Sequence, residues 1–244
     1  MTDSTPIDVR TLTATELAAL ASNRIKTLTS DQVSFLSGSQ FMALTGTQLA
    51  TLSTAALNGL SFGNVALLST TQIKALAPTQ VQALSPSTLA YLSADQFAGL
   101  SVSQFRALTS TQAAKLSSSV FSVMTGPEIS ALTPTLISAM SADLLSYFST
   151  SQIKNVTASQ LSLFATSSFV SMTPDQVVSL SGGQIGGIAP TQITGMNPVL
   201  ISVITPTQIT SLQPQTFGAF TPTQLNIMEG SVSGDCWRPA PPHM

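Results

Sequence analysis

From Thr5 to Met228 the sequence repeats every eight residues without one insertion or deletion, giving 28 consecutive octapeptides in a chain of 244 residues. A period this short and this persistent constrains the fold more than any composition could. No octapeptide can bury a core by itself, so each must stack on its neighbours in a solenoid whose core is continuous.

The octapeptide is legible position by position. Position five is apolar in all 28 copies, from Val9 to Leu225, and position eight in all 28, from Leu12 to Met228. Position one is Ser or Thr in 22 copies, and position four is Gln in 15 and Glu in two, Glu16 and Glu128. Ser/Thr followed three residues later by Gln/Glu is a capping box. The hydroxyl accepts from the N–H at position four, and the longer side chain reaches back to the N–H at position one. Each unit therefore predicts one cap and less than two turns of helix.

Proline and charge confirm the register. Ten prolines (Pro6, Pro78, Pro86, Pro134, Pro174, Pro190, Pro198, Pro206, Pro214, Pro222) occupy position two, the first helical residue, where a missing N–H costs nothing. Pro127, at position three, is still in the first turn. Asp8, Glu16, Asp31, Asp95, Glu128, Asp143 and Asp175 fall at positions three or four, near the positive end of a helix dipole. Arg10, Lys26, Lys74, Arg106 and Lys154 fall at position six, nearer its negative end.

Two other architectures fail. In one long helix the apolar stripe would advance about 80° per repeat, so no face would persist. In a β-solenoid positions five and eight would point to opposite faces, whereas on a helix they share one. The sequence thus predicts an all-α solenoid or superhelix of about 28 short capped helical turns, one per octapeptide. It would comprise a lead-in at 1–4, the array at 5–228 and a Gly/Pro-rich flexible tail at 229–244.

Composition narrows the function. Charged residues make up 7% of the chain and the net charge is −2, which argues against the clustered basic face that nucleic-acid binding would need, so no nucleic-acid partner is expected. Apolar content of 43% in a strict period can bury itself, so low charge does not mean disorder. Residues 1–10 show no secretory signal, and Ser, Thr, Gln or Pro interrupts every apolar run before it could span a membrane. A single cysteine, Cys236, excludes an internal disulfide framework.

Along the array, position four of the first three repeats is charged (Asp8, Glu16, Arg24), which suits an exposed end. Between 117 and 148 it becomes apolar at Val120, Leu136 and Leu144, trading a cap for burial or opening a lateral groove. Position seven is small in 18 copies, which suggests close backbone approach. Its larger occupants, among them Phe35, Leu67, Tyr91 and Tyr147, read as local packing at uneven intervals. Ala21 and Ala165 replace the cap with no proline following, so helices are expected to fuse or start late there. Ala77 and Ala189 precede Pro78 and Pro190 and should still reset.

No residue qualifies as catalytic, cofactor-binding or metal-ligating, and no cofactor is expected. Cys236 and His243 are the only residues of their kinds, but a thiol–imidazole pair needs a rigid scaffold, which a Pro-rich tail does not supply. Asp31, Asp95, Asp143 and Asp175 lie 32 to 64 residues apart, too far along the chain to suggest a converging calcium site. The Ser/Thr/Gln-rich face could bind a repetitive ligand such as polysaccharide or ice, but its spacing is already explained by capping.

At TPTQITSL (205–212) and SPSTLAYL (85–92) the chain resembles the tandem LTxxQIxAL arrays of very large bacterial surface or secreted repeat proteins. The resemblance covers 5–228 and implies an extracellular or cell-surface structural role without catalysis. The array is also locally similar to the first helix of TAL-effector repeats, which departs in period and in its base-reading loop, so DNA binding is not carried over. The expected function is that of a structural repeat protein: spacer, stalk, scaffold or filament subunit. The competing expectation is a binding module for polysaccharide, ice or peptide. Apolar positions in the last repeat (Leu225, Met228) and the charge-free stretch between Asp175 and Glu229 also lead us to expect self-association, end-to-end or lateral.

Overall fold

A computed structural model describes residues 6–231. Among them every octapeptide from the second onward forms one short helix. The first is Ala14–Ala19, the last Pro222–Ser231, and the one 3₁₀ element is Leu144–Tyr147. The described residues contain no strand. The predicted all-α solenoid is therefore present, with one difference at each end. Repeat one forms only a turn, and the last helix runs three residues past Met228.

The chain divides into two compact units, Met1–Met140 and Ser141–Met244. Within the first, Ala14–Ala19 packs on Gly38–Ala43, Ser22–Ile25 on Gly46–Thr51, and Gly46–Thr51 on Thr70–Ala75. Within the second, Leu144–Tyr147 packs on Thr166–Val170, Thr150–Ile153 on Pro174–Ser179, and Gly182–Ile185 on Pro206–Ile209. Within each unit, a helix thus lies against the one three octapeptides further on.

The core is built from positions five and eight. Every position-five side chain from Val9 to Ile201 is buried, and so is nearly every position-eight side chain from Leu28 onward. Burial of two such residues per repeat contributes roughly 3–6 kcal/mol, too little to order eight residues without the adjacent turns. Val120, Leu136 and Leu144 also turn inward and are buried, as their apolar character at position four predicts.

The small residue at position seven lets adjacent turns approach. A Cβ added to Gly59 would run into the Ser30 carbonyl, and one on Gly187 into the Ala158 carbonyl. Each pair is 29 residues apart, so one turn of the solenoid takes about three and a half octapeptides.

Helix resets do not depend on the cap in the way the sequence suggests. Ala21 and Ala165 both hold extended backbone (φ −63°, ψ 147° and φ −61°, ψ 150°), and new helices start directly after them at Ser22 and Thr166. Neither has a side-chain cap. The expected fusion does not occur, because a continuous helix would carry the buried Ile25 and Phe169 out of the core. Packing of position five decides the break, and the cap adds to it.

Candidate functional site

The dominant polar feature of the molecule is a seam of buried glutamines. Gln104 is typical. Its Oε1 accepts from the Ser101 N–H (2.7 Å), which is the expected half of the capping box. Its Nε2 donates to the carbonyls of Ile73 and Leu76, both at 2.7 Å, 31 and 28 residues earlier in the chain. Gln184 does the same in the second unit, accepting from Ser181 (2.9 Å) and donating to Ile153 (2.7 Å) and Val156 (2.6 Å). One carboxamide therefore caps its own helix and clamps the turn before it.

The chemistry requires an amide. The side chain must accept on one atom and donate twice on the other, which Gln can do and an ionised Glu cannot. Shorter donors supply only the link to the earlier turn. Asn64 donates to the Leu36 carbonyl (3.3 Å) and Thr216 to that of Ile188 (2.9 Å), both 28 residues back. The hydroxyl at position one is dispensable, since the Ala77 N–H still donates to Gln80 (2.7 Å). Position-four Gln is legible in the sequence as a cap, but its second role is not, because the partner carbonyls carry no sequence signal.

Glu128 breaks the rule inside the first unit. It is 4% exposed, and its Oε2 accepts from the N–H and hydroxyl of Thr125 (2.7 and 2.8 Å). It lines an open groove of about 850 Å³ together with Lys74, Asp95, Ser101 and Thr125. Beside it Phe97, Phe105, Val120 and Met124 pack together with no room between them for a water molecule.

The N-terminal turn is polar. Asp8, Glu16 and Arg24 stand at position four in place of glutamine. Arg10 hydrogen-bonds Asp8 (3.0 Å), holding that carboxyl below the usual range and raising its own pKa. Glu16 accepts from the N–H and hydroxyl of Thr13 (both 2.8 Å), which lowers its pKa likewise.

The surface carries one organised apolar feature. Phe62 and Tyr91 stack with ring centroids 4.4 Å apart and planes 19° apart, although each is about half exposed (48% and 55%). Phe35, 56% exposed, lies under the Arg10 guanidinium, 5.2 Å from its ring centroid. Phe35 and Tyr91 are 56 residues apart, which is seven octapeptides or two turns. The contacts of Phe35 with Arg10 and of Tyr91 with Phe62 are local, as the sequence suggests.

Among the described residues no group of three or more His, Cys, Asp or Glu could hold a metal ion, and no helix is long and apolar enough to cross a membrane. Asp143 accepts from the Ser171 hydroxyl (2.9 Å), linking two turns of the second unit. Cys236, Trp237 and His243 lie outside the described residues. No protein-family model and no curated protein matches the chain.

Proposed function

We propose that this is a structural repeat protein without catalysis, a spacer or scaffold of the kind that surface and secreted arrays provide. The observation that carries the reading is the glutamine seam. Repeated hydrogen bonds run from one turn to the next, as from Gln48 to Leu20, Gln80 to Leu52 and Gln112 to Leu84. Such a seam fixes the separation of turns and resists their parting, which suits a mechanical element whose length is set by repeat number. An extracellular or cell-surface location and lateral self-association belong to the same proposal. The exposed Phe62–Tyr91 pair favours lateral contact.

The test is to delete residues 45–100, seven octapeptides, so that Leu44 joins Ser101 in the same register. A spacer should refold with unchanged helicity per residue, and the longest dimension measured by solution scattering should fall in proportion to the residues removed. An unfolded product, or an unchanged dimension, would count against the reading.

A second reading is favoured by the exposed Phe62–Tyr91 pair, since stacked aromatics on a hydroxyl-rich, weakly charged surface suit a neutral polysaccharide. Glycan-array binding lost in F62A/Y91A would support it, and silence across the array would leave the structural role.

A further inference from the structure

Within the second unit the seam runs in one direction, from each glutamine back to carbonyls 31 and 28 residues earlier, so the most C-terminal carbonyls of the array differ from the rest. Gln208 donates to the carbonyls of Val177 and Leu180, and Gln224 to those of Ile193 and Met196. The next pair in register, Ile201 and Ile204, would need an amide at 232, and the pair Ile209 and Leu212 one at 240. The chain has Val232 and Ala240 there, and neither side chain can donate. Among the described residues no side chain donates to these four carbonyls. The apolar layer is open at the same place: Ile209 and Leu225 are part-exposed, whereas every position-five residue up to Ile201 is buried.

We propose that this C-terminal face binds a partner chain carrying octapeptides of the same kind, with Gln at position four and an apolar residue at position five. The occupant is specified by the interior, where a Gln-bearing turn covers this same combination of carbonyls and apolar side chains. A second copy of the chain does not satisfy the face through its N-terminal turn. There Asp8 and Glu16 would set carboxylates against carbonyl oxygens, so the bonds could not form. One turn needs three and a half octapeptides, so the partner segment is about 28 residues long.

The probe is a synthetic peptide of four TPTQITSL units, titrated into the full-length protein and followed by the methyl resonances of its isoleucines. The expected result is saturable one-to-one binding that shifts Ile201, Ile204 and Ile209 and leaves Ile7 and Ile25 in place. The same peptide with Glu at each fourth position should bind about tenfold more weakly or worse, since each amide lost removes its donors. Absence of binding at millimolar peptide would overturn the proposal, whether the face is inert or already occupied by residues 232–244. Equal binding of the Glu peptide, or shifts centred on Ile7 and Ile25, would also overturn it. If diluting and concentrating the protein alone moves the same three methyl groups, the occupant is a second copy and the partner assigned here is wrong.

Discussion

Gln104 and Leu76 are 28 residues apart in sequence, yet the Gln104 Nε2 lies 2.7 Å from the Leu76 carbonyl oxygen. Gln104 is 1% exposed, so water cannot replace what its amide supplies. Gln104→Ala leaves the Ser101 N–H and the Ile73 and Leu76 carbonyls without this partner. A cap lost at the surface costs about 1 kcal/mol, whereas each buried polar group left unsatisfied costs roughly 1–3 kcal/mol. We expect Q104A to lose about 3 kcal/mol in chemical denaturation. Gln104→Glu keeps the cap but turns a carboxylate toward two carbonyls, so it should be at least as harmful at neutral pH. Its deficit should shrink in acid, where a protonated carboxyl can donate. A Q104E as stable as the parent at about pH 7 would show that the clamp contributes nothing to stability.

The parts of this fold legible in sequence are those that depend on neighbours within eight residues. The apolar pair at five and eight, the Ser/Thr–Gln cap and Pro at position two all act inside one unit, and all are present as read. Of what acts between turns, only the small residue at position seven is legible, and it marks a close approach without naming the partner. The partner of Gln104 is a backbone carbonyl, identical at every residue, so nothing in the sequence marks it. Ala21 and Ala165 fail as predictors because burial of Ile25 and Phe169 outweighs a missing cap worth about 1 kcal/mol.

Gly59 tests how closely the turns must approach. A Cβ there meets the Ser30 carbonyl, which belongs to backbone and cannot rotate away. Gly59→Ala should therefore destabilise by about 1–3 kcal/mol, the usual cost of overpacking, against the small gain alanine brings to an open helix position. Gly63, whose Cβ would meet nothing closer than the Ser61 hydroxyl at 3.9 Å, is the control. Thermal melts of G59A and G63A should move in opposite directions or differ by several degrees.

The polar N-terminal turn should respond to acid. Asp8 is held below its ordinary range by Arg10, and Glu16 by the Thr13 N–H and hydroxyl. Depressed carboxylates contribute stability above their unfolded values and lose it as pH falls through the lowered folded ones. Protection of the amides around Thr13 and Glu16 should thus be constant near neutrality and fall below about pH 4, the ordinary carboxylate range. Hydrogen exchange across that range is the measurement. Unchanged protection at about pH 2 would show that these contacts do not hold the turn.

Glu128 offers the reverse experiment, a substitution that should improve the protein. Its carboxylate reproduces the cap of its helix through Thr125, as a glutamine would. In register, the residues 31 and 28 positions earlier are Phe97 and Leu100, and a carboxamide at 128 would bring its N–H groups to their carbonyls. The side chain is 4% exposed, so new hydrogen bonds there would face little competition from water. Glu128→Gln should therefore stabilise by about 0.5–1.5 kcal/mol for the first bond formed, and close part of the groove beside Lys74 and Asp95. Because the change is one atom in size, the competing explanation is loss of a buried charge, not packing. Glu128→Leu, which buries apolar surface without donating, separates the two sources of any gain. If E128L stabilises as much as E128Q, removal of the buried charge, not the clamp, is responsible. If E128Q lowers the denaturation midpoint, the clamp does not extend through this turn, and the carboxylate at 128 is itself what the local structure requires.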